Sequence, residues 1–158
     1  MKNRFIFKVV VSILLLILTG CNNSENNKVV NPFNDIPINS TKRIEFSNLK
    51  ITSAEKELGR MKTLTDESDI KSIGEYLKTI ECISSNKKEK DPDFQISLID
   101  NIEKEKSYIY SIGFSKNQIC IYEGTSFSVY KYSDKKLIET LTDMYNDMNY
   151  KEELLMKK

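Results

Sequence analysis

The chain has 158 residues, with 24 Lys plus Arg against 23 Asp plus Glu, three cysteines and no histidine. Lack of imidazole removes the usual general base at neutral pH, the Ser-His and Cys-His nucleophile pairs and the commonest zinc ligand, which sets aside most hydrolase mechanisms. The expectation is a non-enzymatic protein without a metal site or cofactor, and a near-neutral chain without a basic patch argues against nucleic acid or anionic lipid as a partner.

Lys2, Arg4 and Lys8 form a basic opening, and Val9 to Leu18 is an apolar run broken only by Ser12 and followed by small residues, the anatomy of an export signal. The run is shorter than the roughly 20 apolar residues a spanning helix needs. At its end stands Leu18-Thr19-Gly20-Cys21, which resembles the lipobox of bacterial lipoproteins. The resemblance implies cleavage between Gly20 and Cys21, covalent diacylglycerol on the Cys21 thiol, and a lipid-anchored location on the outer face of the cytoplasmic membrane. An ordinary signal peptide that leaves Cys21 as the first residue is the alternative. At about 0.8 kcal/mol per buried methylene, two acyl chains hold far more strongly than one. Removing residues 1–20 leaves 138 residues with 21 basic against 23 acidic, a net charge of −2, so the positive balance belongs to the signal. That length suits one domain with a short linker, and the heavy use of Lys, Asn and Ile resembles proteins of low-GC Gram-positive bacteria.

Residues 21–40, rich in Asn and Ser with Pro32 and Pro37, read as a flexible tether holding the domain on the order of 25 Å from the lipid. Val29, Val30 and Phe33 supply the alternative of packing on the domain. Residues 41–150 read as a single domain. Its first strand is predicted over Lys42 to Thr52, with a bulge at Ser47-Asn48 between two apolar registers. Leu58 to Leu64 follows, and its Arg60 and Lys62 suggest a sheet edge. Thr65 or Asp66 caps a helix in which Ile70, Ile73, Leu77 and Ile80 recur at helical spacing, with Gly74 on the same face allowing close approach to the sheet.

Ser84 to Pro92 reads as a polar loop whose lysines, Lys87, Lys88 and Lys90, are solvated surface. Four strands then alternate at period two, carrying Phe94-Ile96-Leu98, Tyr108-Tyr110-Ile112-Phe114, Ile119-Ile121 and Phe127-Val129, with turns at Asp100-Asn101, Lys116-Asn117 and Glu123-Gly124-Thr125. Ser133-Asp134 caps a last helix with the stripe Leu137, Ile138, Leu141, Met144, Tyr145 and Met148, and residues 151–158 form its extension or a frayed tail. The expected fold is α+β: a two-layer antiparallel sheet in the order ββαββββα with both helices on one face. The Leu64-Thr65-Asp66 approach to the helix and the closing hairpins resemble an uncharacterised domain of small Gram-positive lipoproteins, a likeness that supports location and carries over no functional residue.

Cys82 and Cys120 admit two readings, a disulfide outside the membrane or two separate buried thiols. Asp91, Asp93, Asp100, Glu103 and Glu105 bracket one strand without the spacing of a calcium loop, so they read as a solvated rim. Tyr122, Tyr130 and Tyr132, with Ser126 and Ser128, take the parity opposite Ile119, Ile121, Phe127 and Val129 and are predicted to project together from the open face, a recognition-like composition. The function expected is presentation of the domain to an envelope or extracellular protein or peptide, as in immunity, inhibition or envelope assistance; the alternative is small-ligand binding or sensing.

Overall fold

The computed structural model describes residues 28–50, 59–87, 91–101 and 108–155. It is a mixed α+β fold: one antiparallel sheet of nine strands with two α-helices. In chain order the strands are β1 (Val29–Val30), β2 (Arg43–Asn48), β3 (Arg60–Leu64), β4 (Cys82–Ser85), β5 (Phe94–Ile99), β6 (Tyr108–Ser115), β7 (Gln118–Glu123), β8 (Ser126–Tyr132) and β9 (Glu152–Leu154). The helices are α1 (Glu67–Leu77) and α2 (Leu137–Asp147), and the spatial strand order is β1-β4-β8-β7-β6-β5-β2-β3-β9. The expected ββαββββα order therefore lacks three short strands, β1, β4 and β9. Each is too brief to show alternation and is held by its partner's ladder.

Register divides the sheet into two faces. Ile44, Leu64, Leu98 and Tyr110 lie side by side across β3-β2-β5-β6, and so do Phe46, Ile96, Ile112 and Ile121 across β2-β5-β6-β7. These residues share one buried cluster with Ile70, Ile73 and Leu77 of α1 and Leu137, Leu141 and Tyr145 of α2. The Tyr145 ring stands edge-on to Phe46 at 5.3 Å and lies 6.4 Å from Phe94.

The start of α1 matches the sequence. The Asp66 carboxylate accepts from the Ser68 hydroxyl at 2.6 Å and from the Ser68 backbone N–H at 2.8 Å. These bonds, the hydroxyl's first, hold its carboxyl below the usual range, as expected of an N-cap acid beside the positive helix end.

The presumed tether is part of the domain from Val29 onward. Val29 and Val30 pair with Ile83 and Cys82, while Phe33 and Ile36 are buried in the core. A Cβ on Gly74 would lie 2.5 Å from Ile38 Cγ1. That glycine thus admits the Ile38–Ser40 turn to the side of α1, where a close approach to the sheet was expected. Apolar residues spaced irregularly among Asn and Pro gave no periodicity, yet each fills a gap in the core.

Four other expectations change. The bulge is absent at Ser47-Asn48, where β2 ends and the Asn48 side chain turns the chain by accepting from the Lys50 N–H at 3.1 Å. Ile51 and Thr52 lie outside the described residues. The register shift falls instead between Leu98 and Ile99, opposite Tyr110 and Tyr108; it carries Tyr108 away from the core, where its hydroxyl donates to Glu45 Oε2 at 2.8 Å. Strand β3 is flanked by β9, so its lysine is no edge charge. Lys62 is buried and donates from Nζ to the carbonyls of Tyr145 and Met148 at 2.7 Å each, 4.9 Å from the Tyr145 ring centre, a cation placed on the negative end of α2. Finally, residues Glu152–Leu154 do not extend α2 but reverse and pair with β3, fixed by Tyr145 Oη on Glu152 Oε1 at 3.0 Å and by Arg60 on Glu152 at 3.6 Å.

Candidate functional site

The two ends of the sheet differ. At one end the Lys116-Asn117 turn joins β6 to β7, with Asn117 at φ 67°, a left-handed conformation asparagine tolerates. The β5 approach at Asp91–Asp93 and the first turns of α2 flank it. Between them opens a cleft of about 910 Å³ whose rim carries Lys50, Lys116, Lys135, Asp91, Asp93 and Glu139, with Tyr132 and Ile138 deeper in.

Its walls are held from below. Tyr132 Oη donates to the Ser115 carbonyl at 2.8 Å, Asp93 N to the Phe114 carbonyl at 2.6 Å, and Leu49 N to the Asp93 carbonyl at 2.8 Å. Lys50 lies 3.5 Å from Asp93. Asp134 accepts from the Lys136 N–H at 2.8 Å in the turn that brings Lys135 to the rim. The N-cap position of α2 is Lys136, without a side-chain bond, so the expected Ser133-Asp134 cap does not form. Lys87 and Pro92 lie beside this cleft against residues of the parity opposite Ile112 and Ile119: Gln118 Nε2 donates to the Lys87 carbonyl at 2.6 Å, and Pro92 sits 3.1 Å from where a Gly113 Cβ would be.

At the other end, the Gly124-Thr125 turn joins β7 to β8, with Gly124 at φ 56°. Two-residue turns put the flanking residues directly opposite one another on one face, so Glu123 pairs with Ser126 and Tyr122 with Phe127. The two rings are 4.9 Å apart and remain 41% and 48% exposed. Further in on the same face, Gln95 donates to Ser97 at 3.2 Å and Ser111 at 3.1 Å, and the two serine hydroxyls are 3.0 Å apart.

The predicted tyrosine surface is not assembled as expected. Tyr122 faces away from the core, but Ser126, Ser128, Tyr130 and Tyr132 lie on the other face, with Ser128 opposite Ile121 and Tyr130 opposite Ile119. Tyr132 belongs to the core and Tyr130 packs against it. Phe127 and Val129, expected in that core, take the opposite face, where Phe127 is exposed and Val129 is buried opposite Cys120.

Cys82 and Cys120 are both buried and no disulfide joins them. Cys82 is on the core face opposite Tyr132, Cys120 is on the other face opposite Val129, and β8 runs between their strands. Burial pushes the Cys82 thiol up to about 12, so it is a neutral core side chain at physiological pH. The acidic residues also part company: Asp91 and Asp93 line the cleft, Asp100 follows β5 at the far end, and Glu103 and Glu105 are outside the described residues, as are Lys88, Lys90, Gly20 and Cys21. No group of acidic or cysteine side chains placed to hold a metal occurs among the described residues, and none of their helices is long and apolar enough to cross a membrane.

Comparison with protein-family models, with curated proteins and with solved structures finds no match to this chain. Function must therefore be read from the site itself. The cleft had no sequence signature, because its six charged residues come from four separated stretches. The nearest hint was the Lys116-Asn117 turn, whose position fixes where the rim begins.

Proposed function

We propose that this is a non-enzymatic bacterial lipoprotein, held through Cys21 on the outer face of the cytoplasmic membrane and presenting its domain to an envelope or extracellular protein or peptide. The domain is read as two layers with both helices on one face, since the apolar stripes of α1 and α2 share a cluster with residues of one sheet parity.

The observation that carries the partner reading is the cleft: an open groove rimmed by three lysines and three acids suits a charged peptide segment or protein loop. Small-molecule sites are mostly apolar, with few polar groups. A small polar ligand is the second reading, favoured by a volume inside the roughly 300–1,000 Å³ typical of ligand sites.

The test is capture from native membranes with the intact lipoprotein, wild type beside a Lys116→Glu, Lys135→Glu variant. Both lysines are exposed, so the variant keeps its melting temperature and loses the proteins held by the wild type. Equal capture by the two would eliminate the cleft as the partner site. Heat exchange with a small polar molecule and no protein captured would favour the second reading.

A further inference from the structure

We propose that the β7-β8 hairpin, with its exposed Tyr122 and Phe127, rests on the lipid surface in which the anchor sits. This inference depends on the lipid anchor at Cys21. Strand β1 runs antiparallel to β4, so Val29 pairs with Ile83 and Val30 with Cys82. Strand β4 pairs in turn with β8, Ile83 opposite Lys131 and Ser85 opposite Val129. Moving backward along the chain from Val30 to Val29 is therefore moving from the cleft end of the sheet toward the Gly124-Thr125 turn. Val29 itself stands level with Lys131, four residues along β8 from Phe127, and the chain that precedes it heads toward the aromatic pair.

Only seven residues, 22–28, separate Cys21 from Val29, a maximum reach on the order of 25 Å. Strands lie about 4.8 Å apart, which places β8 roughly 10 Å from β1 and β7 one strand beyond. A tether this short, leaving Val29 in the direction of the Gly124-Thr125 turn, keeps the hairpin within reach of the bilayer. The rings suit that position. A tyrosine and a phenylalanine side by side, half exposed, present an apolar body with one hydroxyl, as aromatic residues do at membrane interfaces. The anchor supplies the affinity, so the pair needs only to orient the domain.

Exposed Glu123 and Asp100 flank the region, and zwitterionic lipid is accordingly the probe that leaves the aromatic contribution free of charge repulsion. The chain has no tryptophan, so a single introduced indole is its own reporter. The lipidated full chain is prepared as Phe127→Trp and, at the cleft end, as Lys116→Trp, and each is bound to phosphatidylcholine vesicles with and without brominated acyl chains. The expected result is that both proteins float with the vesicles while brominated lipid dims only the Phe127→Trp indole. Flotation with equal dimming, or none, in both variants overturns the hairpin contact and leaves the anchor standing. Failure of both to float overturns the anchor and the contact with it.

Discussion

The cleft end and the hairpin end of the sheet are built from the same strands, yet they expose opposite chemistry. At the Lys116-Asn117 end, six charged side chains ring a cavity whose walls are tied by backbone and tyrosine hydrogen bonds. At the Gly124-Thr125 end, two aromatic rings lean on each other at 4.9 Å and stay about half exposed. A single antiparallel sheet can thus serve two surroundings, because strand ends are where the buried parity stops dictating side-chain identity. What joins the ends is the core between them, and the predictions begin there.

Phe46→Ala removes a ring held by both Phe94 and Tyr145 and is expected to cost about 3–5 kcal/mol, measured by chemical denaturation. A single cooperative transition, lowered throughout, is the expected outcome; loss of order at one end alone would show that the ends do not share a core. Next in size is Lys62→Met. Its charge-assisted bonds to two carbonyls support an expected loss of about 2 kcal/mol, with faster hydrogen exchange concentrated around Tyr145 to Leu154 and little change at the cleft. Exchange that quickens evenly would mean that Lys62 is not specific to the α2–β9 corner.

Gly74→Leu drives a side chain into Ile38 and is expected to cost about 1–3 kcal/mol, as overpacking does. An unchanged melting temperature would show residues 31–41 to be a loose tether after all, which would remove the fixed entry direction on which the hairpin's placement depends. The smallest effect is that of pH at Asp66. Its pKa is lowered in the folded state by its bonds to Ser68, so its contribution to stability is present above the unfolded value and is lost as pH falls through the folded one. Asp66→Asn, still a good cap, should flatten the acid limb of a stability–pH curve slightly while leaving neutral stability nearly unchanged.

Long periodic elements were legible in the sequence, and short ones were not. The stripes Ile70-Ile73-Leu77 and Leu137-Leu141-Tyr145 announced both helices, and of the two caps the sequence offered, Thr65 or Asp66, the chain uses Asp66. Strands β5 to β7 showed their alternation. Strands β1, β4 and β9 have two to four residues each, too few for any period, and exist because a neighbour offers unpaired backbone groups. The parity error on β8 had a readable remedy. Once Gly124-Thr125 is taken as a two-residue turn, Phe127 must stand opposite Tyr122, and the outward direction of Tyr122 then forces Phe127 out and Tyr130 in. Lys62 misled for a different reason: a lone lysine in a strand most often marks an exposed edge, and only the return of the chain after α2 supplies the carbonyls that hold it inside. The cleft was invisible because nothing local links Lys50, Asp91, Lys116 and Lys135.

The proposed division of labour between the two ends is tested most directly by placing a photo-crosslinking residue at Lys116 or at Phe127 in the full chain, bound to membranes through the proposed Cys21 lipid, and identifying what each captures. The account predicts protein adducts from position 116 and lipid adducts from position 127. Protein adducts at position 127 with none at 116 would contradict it, because the aromatic hairpin would then be the partner surface and the cleft would not.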